Sequence, residues 1–107
     1  MSPLLPDTVD ATFPAAAAAA PTTALYFSAT WCGPCRSFGP LLERVIATMG
    51  DRVALVKVDV DASPELAVKY GVRSVPTVVV LRDGEMVARN SGTLPEGGVR
   101  RLLHADG

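Results

Sequence analysis

The chain has 107 residues, and its ten Lys+Arg nearly balance eleven Asp+Glu, giving a formal net charge of −1. A chain of this length makes one domain with its own core, and the balanced charge provides no basic field to hold nucleic acid. Two cysteines make neither a disulfide framework nor a four-ligand zinc site. No apolar run approaches the roughly 20 residues that a membrane helix needs, so we expect a small globular domain with no membrane partner.

The first 23 residues show no export-signal pattern, because their first charge is Asp7 and they lack a long apolar core. Six alanines at 15–20, between Pro14 and Pro21, predict either a short helix or a partly disordered leader. Without an export signal the expected compartment is the cytoplasm, where thiols are kept reduced.

The first half of the chain predicts a strand followed by a long helix. Residues 24–29 form a short apolar run typical of a buried strand. Beyond Pro34, apolar residues recur at the spacing of one helix face: Phe38, Leu41, Leu42, Val45, Ile46 and Met49. We expect a kink at Pro40 and an end at Gly50, in the left-handed conformation that glycine favours.

The second half alternates strands with shorter helices. Residues 53–60 are rich in valine and predict a central strand. Ser-Pro-Glu at 63–65 predicts a helix start, and Gly71 its end. The apolar run at 77–81 and the segment 85–89 flank an Asp-Gly pair, which indicates a hairpin.

The last predicted helix begins with a capping box, in which Thr93 and Glu96 would bond each other's backbone N–H groups. Its inward face would carry Val99, Leu102 and Leu103. Strands and helices in this order indicate an α/β fold, with a central sheet covered by helices.

The chemistry of the chain lies in residues 31–35, Trp-Cys-Gly-Pro-Cys, where the first predicted strand gives way to a helix. Only the thiolate of a cysteine is nucleophilic, and the free N–H groups and dipole of a helix start favour it. Cys32 would attack a substrate disulfide, and Cys35 would then attack Cys32 and release the reduced substrate. The alternatives are a pair of buried core cysteines and half of a zinc site completed by another chain.

This segment resembles the active site of the thioredoxin family, and the resemblance extends over about residues 24–103. Its further motifs are Asp59-Val-Asp61, Lys-Tyr-Gly-Val-Arg-Ser-Val-Pro-Thr at 69–77, Asp83-Gly84 and Gly92. The resemblance implies a thioredoxin fold, with a central mixed β-sheet flanked by helices on both faces, as one domain over residues 1–107. It also implies a protein-disulfide oxidoreductase that reduces disulfide-containing client proteins and is recharged by thioredoxin reductase. We expect a monomer that needs no cofactor and no metal.

The resemblance also assigns roles to individual residues. Cys32 would be the nucleophile and Cys35 the resolving cysteine of a redox disulfide, and Gly33 and Pro34 would shape its ring. Pro76 would follow a cis peptide bond and face the two sulfurs. A shallow apolar docking surface for client segments would be formed by Trp31, Gly33, Pro34, Val75, Pro76 and Gly92.

One position departs from the family pattern. Thioredoxins usually carry a buried aspartate six residues before the first active-site cysteine, and here that residue is Tyr26. A phenol with a reference pKa of roughly 10 cannot act as a base at neutral pH. Lys57, the usual partner of that aspartate, would lose its proton or need another acid, either Asp59 or Tyr26 itself. Our hypothesis is that Lys57 and Tyr26 handle the proton of Cys35; the alternative is that Lys57 only extends its ammonium to solvent.

The loss of the buried acid keeps a second function open. The chain would then be a redox-inactive or specialised binding or chaperone-like subunit that uses the same apolar surface. An oxidase or isomerase role is a third possibility, but Gly33-Pro34 accompanies the reducing members of the family.

Overall fold

The computed structural model describes residues 20–104. The predicted alanine helix therefore lies almost wholly outside the described residues. The elements are, in chain order, β1 (Thr22–Ser28), α1 (Gly33–Ala47), a short 3₁₀ turn (Gly50–Arg52), β2 (Val53–Asp59), α2 (Pro64–Lys69), β3 (Thr77–Arg82), β4 (Glu85–Ser91) and α3 (Glu96–Leu103).

The strands of the described residues form one mixed sheet in the order β2-β1-β3-β4. β1 is central; it runs parallel to β2 and antiparallel to β3. β3 continues into β4 through Asp83 and Gly84, whose φ angles are 53° and 86°. Two consecutive positive φ angles are typical of a type I′ hairpin turn, so the predicted Asp-Gly hairpin is confirmed.

Side chains of β1 alternate between two cores, one on each face of the sheet. Ala24 and Tyr26 join the core beneath α1 and α3, whereas Leu25 and Phe27 join the core beneath α2. A strand covered on both faces has no polar side, which is why residues 24–27 read as a continuous apolar run. The predicted mixed sheet with helices on both faces is confirmed.

The predicted capping box at the last helix is wrong. The helix begins at Glu96, and Pro95 occupies the N-cap position with an extended backbone (φ −70°, ψ 167°). A residue before proline avoids helical geometry, so Leu94 cannot open the helix that a Thr93 cap requires. Glu96 instead pairs with Arg100, 3.0 Å away and one turn later.

The long helix α1 carries the cysteine motif at its N-terminus and is held on the sheet by its apolar face. It passes through Pro40 without interruption and ends at Ala47. Gly50, with φ +63°, then takes the left-handed conformation predicted for it. Of the helices within residues 20–104, none is long and apolar enough to cross a membrane.

We expect Leu42→Ala to lower the free energy of unfolding by about 2–5 kcal/mol, because Leu42 lies fully buried on the inward face of α1 and its truncation leaves a cavity. Val68→Ala is the matched control; Val68 is 80% exposed, and its loss changes stability by about 0.5 kcal/mol or less. Denaturant unfolding of both variants measures the difference. Equal effects would mean that α1 is not packed on the sheet as described.

Candidate active site

The turn from β1 into α1 places the two cysteines. The Cys32 N–H donates to the Ala29 carbonyl over 3.1 Å, and Cys32 then occupies the N-cap position with an extended backbone. Gly33 and Pro34 form the first helical positions, where the missing N–H of proline costs no intrahelical bond. Cys35 follows inside the first turn and forms a disulfide with Cys32, with their Cα atoms 5.4 Å apart.

The sulfur of Cys32 lies where a capping side chain would accept a hydrogen bond. The Cys35 N–H donates to Cys32 Sγ over 3.2 Å, and the first turn of α1 contains no acidic residue. After reduction the same N–H and the helix dipole favour the thiolate at Cys32. Both cysteines are buried in the oxidised state, Cys32 being 4% and Cys35 7% exposed.

Trp31 stands beside Cys32 with 66% of its surface exposed. Its indole Nε1–H donates to Asp61 Oδ2 over 2.9 Å, and the Asp61 N–H in turn donates to Asp59 Oδ1 over 2.8 Å. Neither aspartate caps the helix that follows, because Ser63 occupies its N-cap position. The two carboxylates instead hold an exposed aromatic ring in place.

The loop before β3 forms the other side of the site. The Val75–Pro76 peptide bond is cis. The Gly92 N–H donates to the Pro76 carbonyl over 2.8 Å, and the Thr77 hydroxyl donates to the Ser74 carbonyl over 2.8 Å. Val75 packs against the core cluster that contains both cysteines. The structure thus brings Val75, Pro76 and Gly92 together, beside the core cluster that contains the disulfide.

An apolar groove of about 200 Å³ runs between Trp31 and Val75. We call it the Trp31 groove and define it by its seven lining residues: Trp31, Val60, Ala67, Val72, Arg73, Ser74 and Val75. Pockets for whole small molecules usually exceed about 300 Å³. The Trp31 groove therefore suits a single side chain of an extended segment better than a cofactor.

Tyr26 lies directly behind Cys35. Its hydroxyl donates to the Cys35 carbonyl over 3.0 Å, and its ring packs edge-on against Phe38 with centroids 6.0 Å apart. The phenol lies along α1 at Gly39, where an added Cβ would sit 3.5 Å from the Tyr26 hydroxyl. Burial, reinforced by the negative charge of Glu43, raises the pKa of Tyr26 to about 12. Tyr26 is therefore a hydrogen-bond donor to the Cys35 backbone at neutral pH.

Lys57 forms an ion pair with an acid other than those predicted. Its Nζ lies 2.9 Å from Glu43 Oε2, with the two side chains 30% and 36% exposed. The prediction that Lys57 pairs with Asp59 or Tyr26 is wrong, because the long Lys57 side chain reaches the half-exposed Glu43 on α1. Lys57 and Tyr26 are nevertheless neighbours, since they are paired residues of β2 and β1.

Comparisons with known proteins agree with this geometry. The thioredoxin family model matches residues 6–105. The chain belongs to the thioredoxin family. A thioredoxin of Bacillus subtilis (strain 168) is 46% identical over 78 residues, which cover 73% of this chain and 75% of that protein. A thioredoxin of Rhodospirillum rubrum is 43% identical over 70 residues, covering 65% of this chain and 67% of that protein.

The fold agrees over a longer stretch than these alignments. A mutant thioredoxin from Halobacterium salinarum NRC-1 superposes with a TM-score of 0.87 at 32% identity, covering 100% of this chain and 96% of that chain. This thioredoxin-family chain is a thiol-disulfide oxidoreductase with Cys32 and Cys35 as its redox-active pair. No feature of the described residues favours the redox-inactive binding subunit.

Three residues have roles at the site that the sequence did not assign to them. Asp61 holds Trp31, Glu43 pairs with Lys57, and Arg73 lines the Trp31 groove. Asp61 and Arg73 lie within the family motifs quoted above, whereas the signal for Glu43 is its spacing, because Cys35, Gly39 and Glu43 follow one helix face at intervals of four. Within residues 20–104 no group of three His, Cys, Asp or Glu could hold a metal ion.

We expect Tyr26→Phe to flatten the alkaline stability profile. The folded-state pKa of about 12 exceeds the unfolded value of about 10, so the neutral phenol contributes fully below pH 10. That contribution is lost as the pH rises towards 12. Below pH 9 the variant loses only the hydrogen bond to Cys35, about 0.5–1.5 kcal/mol.

Denaturant unfolding between pH 8 and pH 12 tests this expectation on both proteins. Burial also raises the pKa of Tyr70, so part of the alkaline slope persists in Tyr26→Phe. Identical slopes in the two proteins would show that the Tyr26 phenol does not titrate abnormally.

Proposed function

We propose that Cys32 is the attacking cysteine and Cys35 the resolving cysteine of a protein-disulfide reductase. The observation that carries this assignment is the position of Cys32 Sγ at the start of α1, where it accepts the Cys35 N–H. Of the two sulfurs, the one at the N-cap receives the positive end of the helix dipole. Gly33 and Pro34 lie between them and set the size of the ring.

The reaction transfers two electrons in two exchanges. The Cys32 thiolate attacks one sulfur of the client disulfide; a bond forms between Cys32 and the client, and the other client sulfur leaves and takes up a proton. Cys35 then loses its proton and attacks Cys32 Sγ. This step closes the Cys32–Cys35 disulfide and releases the second client thiol, so the client is reduced and the enzyme oxidised.

The docking surface would hold the client around Cys32. Gly33 and Pro34 are exposed beside it, and Trp31 offers an apolar wall. In the described part of the chain, the N–H and C=O of Val75 make no hydrogen bond, so an extended client segment can pair with them as an added strand. The hydrogen bond from Gly92 to Pro76 supports this proposal, because it fixes the loop that carries Val75.

The oxidised enzyme needs two electrons to act again, and we propose thioredoxin reductase as their donor. Disulfide-containing proteins are the clients, and neither nucleic acid nor a membrane takes part. We further propose that residues 1–107 are a single thioredoxin domain that acts as a monomer in the cytoplasm. The family match over residues 6–105 supports the single domain.

We also propose that Tyr26 positions Cys35 and does not act as its base. A phenol with a pKa of about 12 keeps its proton at neutral pH, and its hydrogen bond goes to the backbone of Cys35. Of the earlier hypothesis, only Lys57 remains as a proton-handling group, and its ammonium is paired with Glu43. The buried proton acceptor is therefore absent from position 26.

Cys32→Ser should abolish catalysed reduction of insulin by dithiothreitol, because no sulfur remains to form the mixed disulfide. Cys35→Ser should instead accumulate a covalent adduct with the client, detected by mass spectrometry, since the resolving attack is lost. Folding of both variants is checked by circular dichroism. Catalysis by folded Cys32→Ser, or a wild-type rate no faster than background, would refute the proposed function.

Tyr26→Asp should accelerate resolution of the mixed disulfide at neutral pH, by about tenfold or more, because it adds a carboxylate behind Cys35. Tyr26→Phe is the matched control, since it removes the same hydroxyl and adds no base. Stopped-flow release of a fluorescent client thiol between pH 6 and pH 9 measures the step. Equal rates for the Asp and Phe variants would show that a base at this position does not limit resolution.

The same experiment examines Lys57. If Lys57 handles the proton, Lys57→Met slows resolution at pH 7 and shifts its pH profile. If Lys57 only pairs with Glu43, the pH profile of resolution keeps its shape. The free energy of unfolding of Lys57→Met then falls only slightly, as expected for the loss of a half-exposed ion pair.

A further inference from the structure

The Trp31 groove is apolar along most of its length but carries one cation. Val60, Ala67, Val72 and Val75 provide its apolar lining, and Arg73 is the charged lining residue. Arg73 lies two residues before Val75, and its side chain is exposed. A client segment that pairs with the Val75 backbone therefore passes close to the Arg73 guanidinium.

The Arg73 guanidinium has no partner among residues 20–104, in which no ion pair or side-chain hydrogen bond involves it. Arg89 provides a contrast nearby, because it donates to the Tyr70 carbonyl over 2.8 Å. A guanidinium offers five N–H donors in a planar fork that matches a carboxylate. Arg73 is thus available for an acidic group that enters with a client.

The carboxylates of Asp59 and Asp61 accept hydrogen bonds from groups other than Arg73. Asp61 accepts the indole N–H of Trp31, and Asp59 accepts the backbone N–H of Asp61. The Asp61 carboxylate therefore lies on the Trp31 side of the groove, where it would repel a client acid. The attractive charge at Arg73 and the repulsive charge at Asp61 would together orient an acidic client residue towards Arg73.

We propose that Arg73 makes this enzyme prefer client disulfides with an aspartate or glutamate within two residues of the attacked cysteine. This inference rests on the proposed function and specifies its substrate class. The covalent step is the same exchange at Cys32; Arg73 contributes only to binding. An exposed ion pair predicts an effect on kcat/KM of about two- to fivefold.

Symmetric peptide dimers joined by one disulfide provide the test, because either sulfur gives the same product. Two sets of three dimers are made. In one set Asp, Asn or Lys lies one residue from the cysteine of each peptide, and in the other set it lies two residues from that cysteine. The reduced enzyme is mixed with each dimer, and its oxidation is followed by the emission of Trp31, the one tryptophan in the chain. The wild type should react in the order Asp, Asn, Lys at the selective position.

The charge of Arg73 is then varied. Arg73→Gln should bring the Asp/Asn ratio close to one, and Arg73→Glu should invert it. Arg44→Gln is the matched control, because Arg44 is also exposed but lies in the last turn of α1. For the wild type, about 1 M salt should also remove the preference, since it shortens the Debye length to about 3 Å.

The outcomes separate this inference from the proposed function. Reduction of every dimer at one rate would overturn the role of Arg73 and leave the reductase intact. Reduction of none of the dimers would overturn the reductase itself. A preference that survives Arg73→Gln, or that disappears with the control Arg44→Gln instead, would also overturn the assignment to Arg73.

Discussion

The active site depends on one constraint: α1 begins at the residue after Cys32. Because Cys32 occupies the N-cap, its sulfur accepts the Cys35 N–H and lies at the positive end of the helix dipole. The same helical turn sets the Cα–Cα distance of 5.4 Å that allows the disulfide. A helix that began a residue earlier would place Cys32 inside its first turn and remove the capping geometry. Any contact that fixes the first residue of α1 therefore also fixes the position of the Cys32 sulfur.

The start of α1 is fixed from the sheet side by Tyr26. Central strand β1 places the Tyr26 ring under the helix, against Phe38 and along Gly39, and its hydroxyl reaches the Cys35 carbonyl. A carboxylate at position 26 would bring a base and a buried charge, whereas the phenol brings neither. This chain therefore has, in place of a carboxylate that could accept a proton, a neutral side chain that fills the space beneath the helix. The cation left over at Lys57 is neutralised by Glu43 in a half-exposed position, where pairing costs less desolvation than in the core.

The sequence predicted those features that depend on neighbouring residues. The Asp83-Gly84 turn is set by the φ angles its two residues tolerate, and the buried strand β1 by its apolar run. The predicted capping box failed for one local reason. Thr93 and Glu96 have the right spacing, but Pro95 excludes helical geometry at Leu94.

Contacts between distant segments could not be read from local patterns. Trp31 and Asp61 are separated by 30 residues and meet only because β1 and β2 run parallel and end at the same edge. Lys57 and Glu43 meet because α1 crosses the same face of the sheet. The motif residues of the site were predictable, but the contacts that support them were not.

The surface around Cys32 combines three segments whose relative positions are fixed by hydrogen bonds. Asp61 holds the indole of Trp31, and the Gly92 N–H holds the Pro76 carbonyl. The backbone of Val75 is left available between these fixed points, and backbone pairing accepts almost any client sequence. Discrimination among clients must therefore come from side chains at the edge of the backbone contact. Arg73 is placed there and carries a charge, so the selectivity of the proposed docking surface would come from a side chain that the reaction itself does not need.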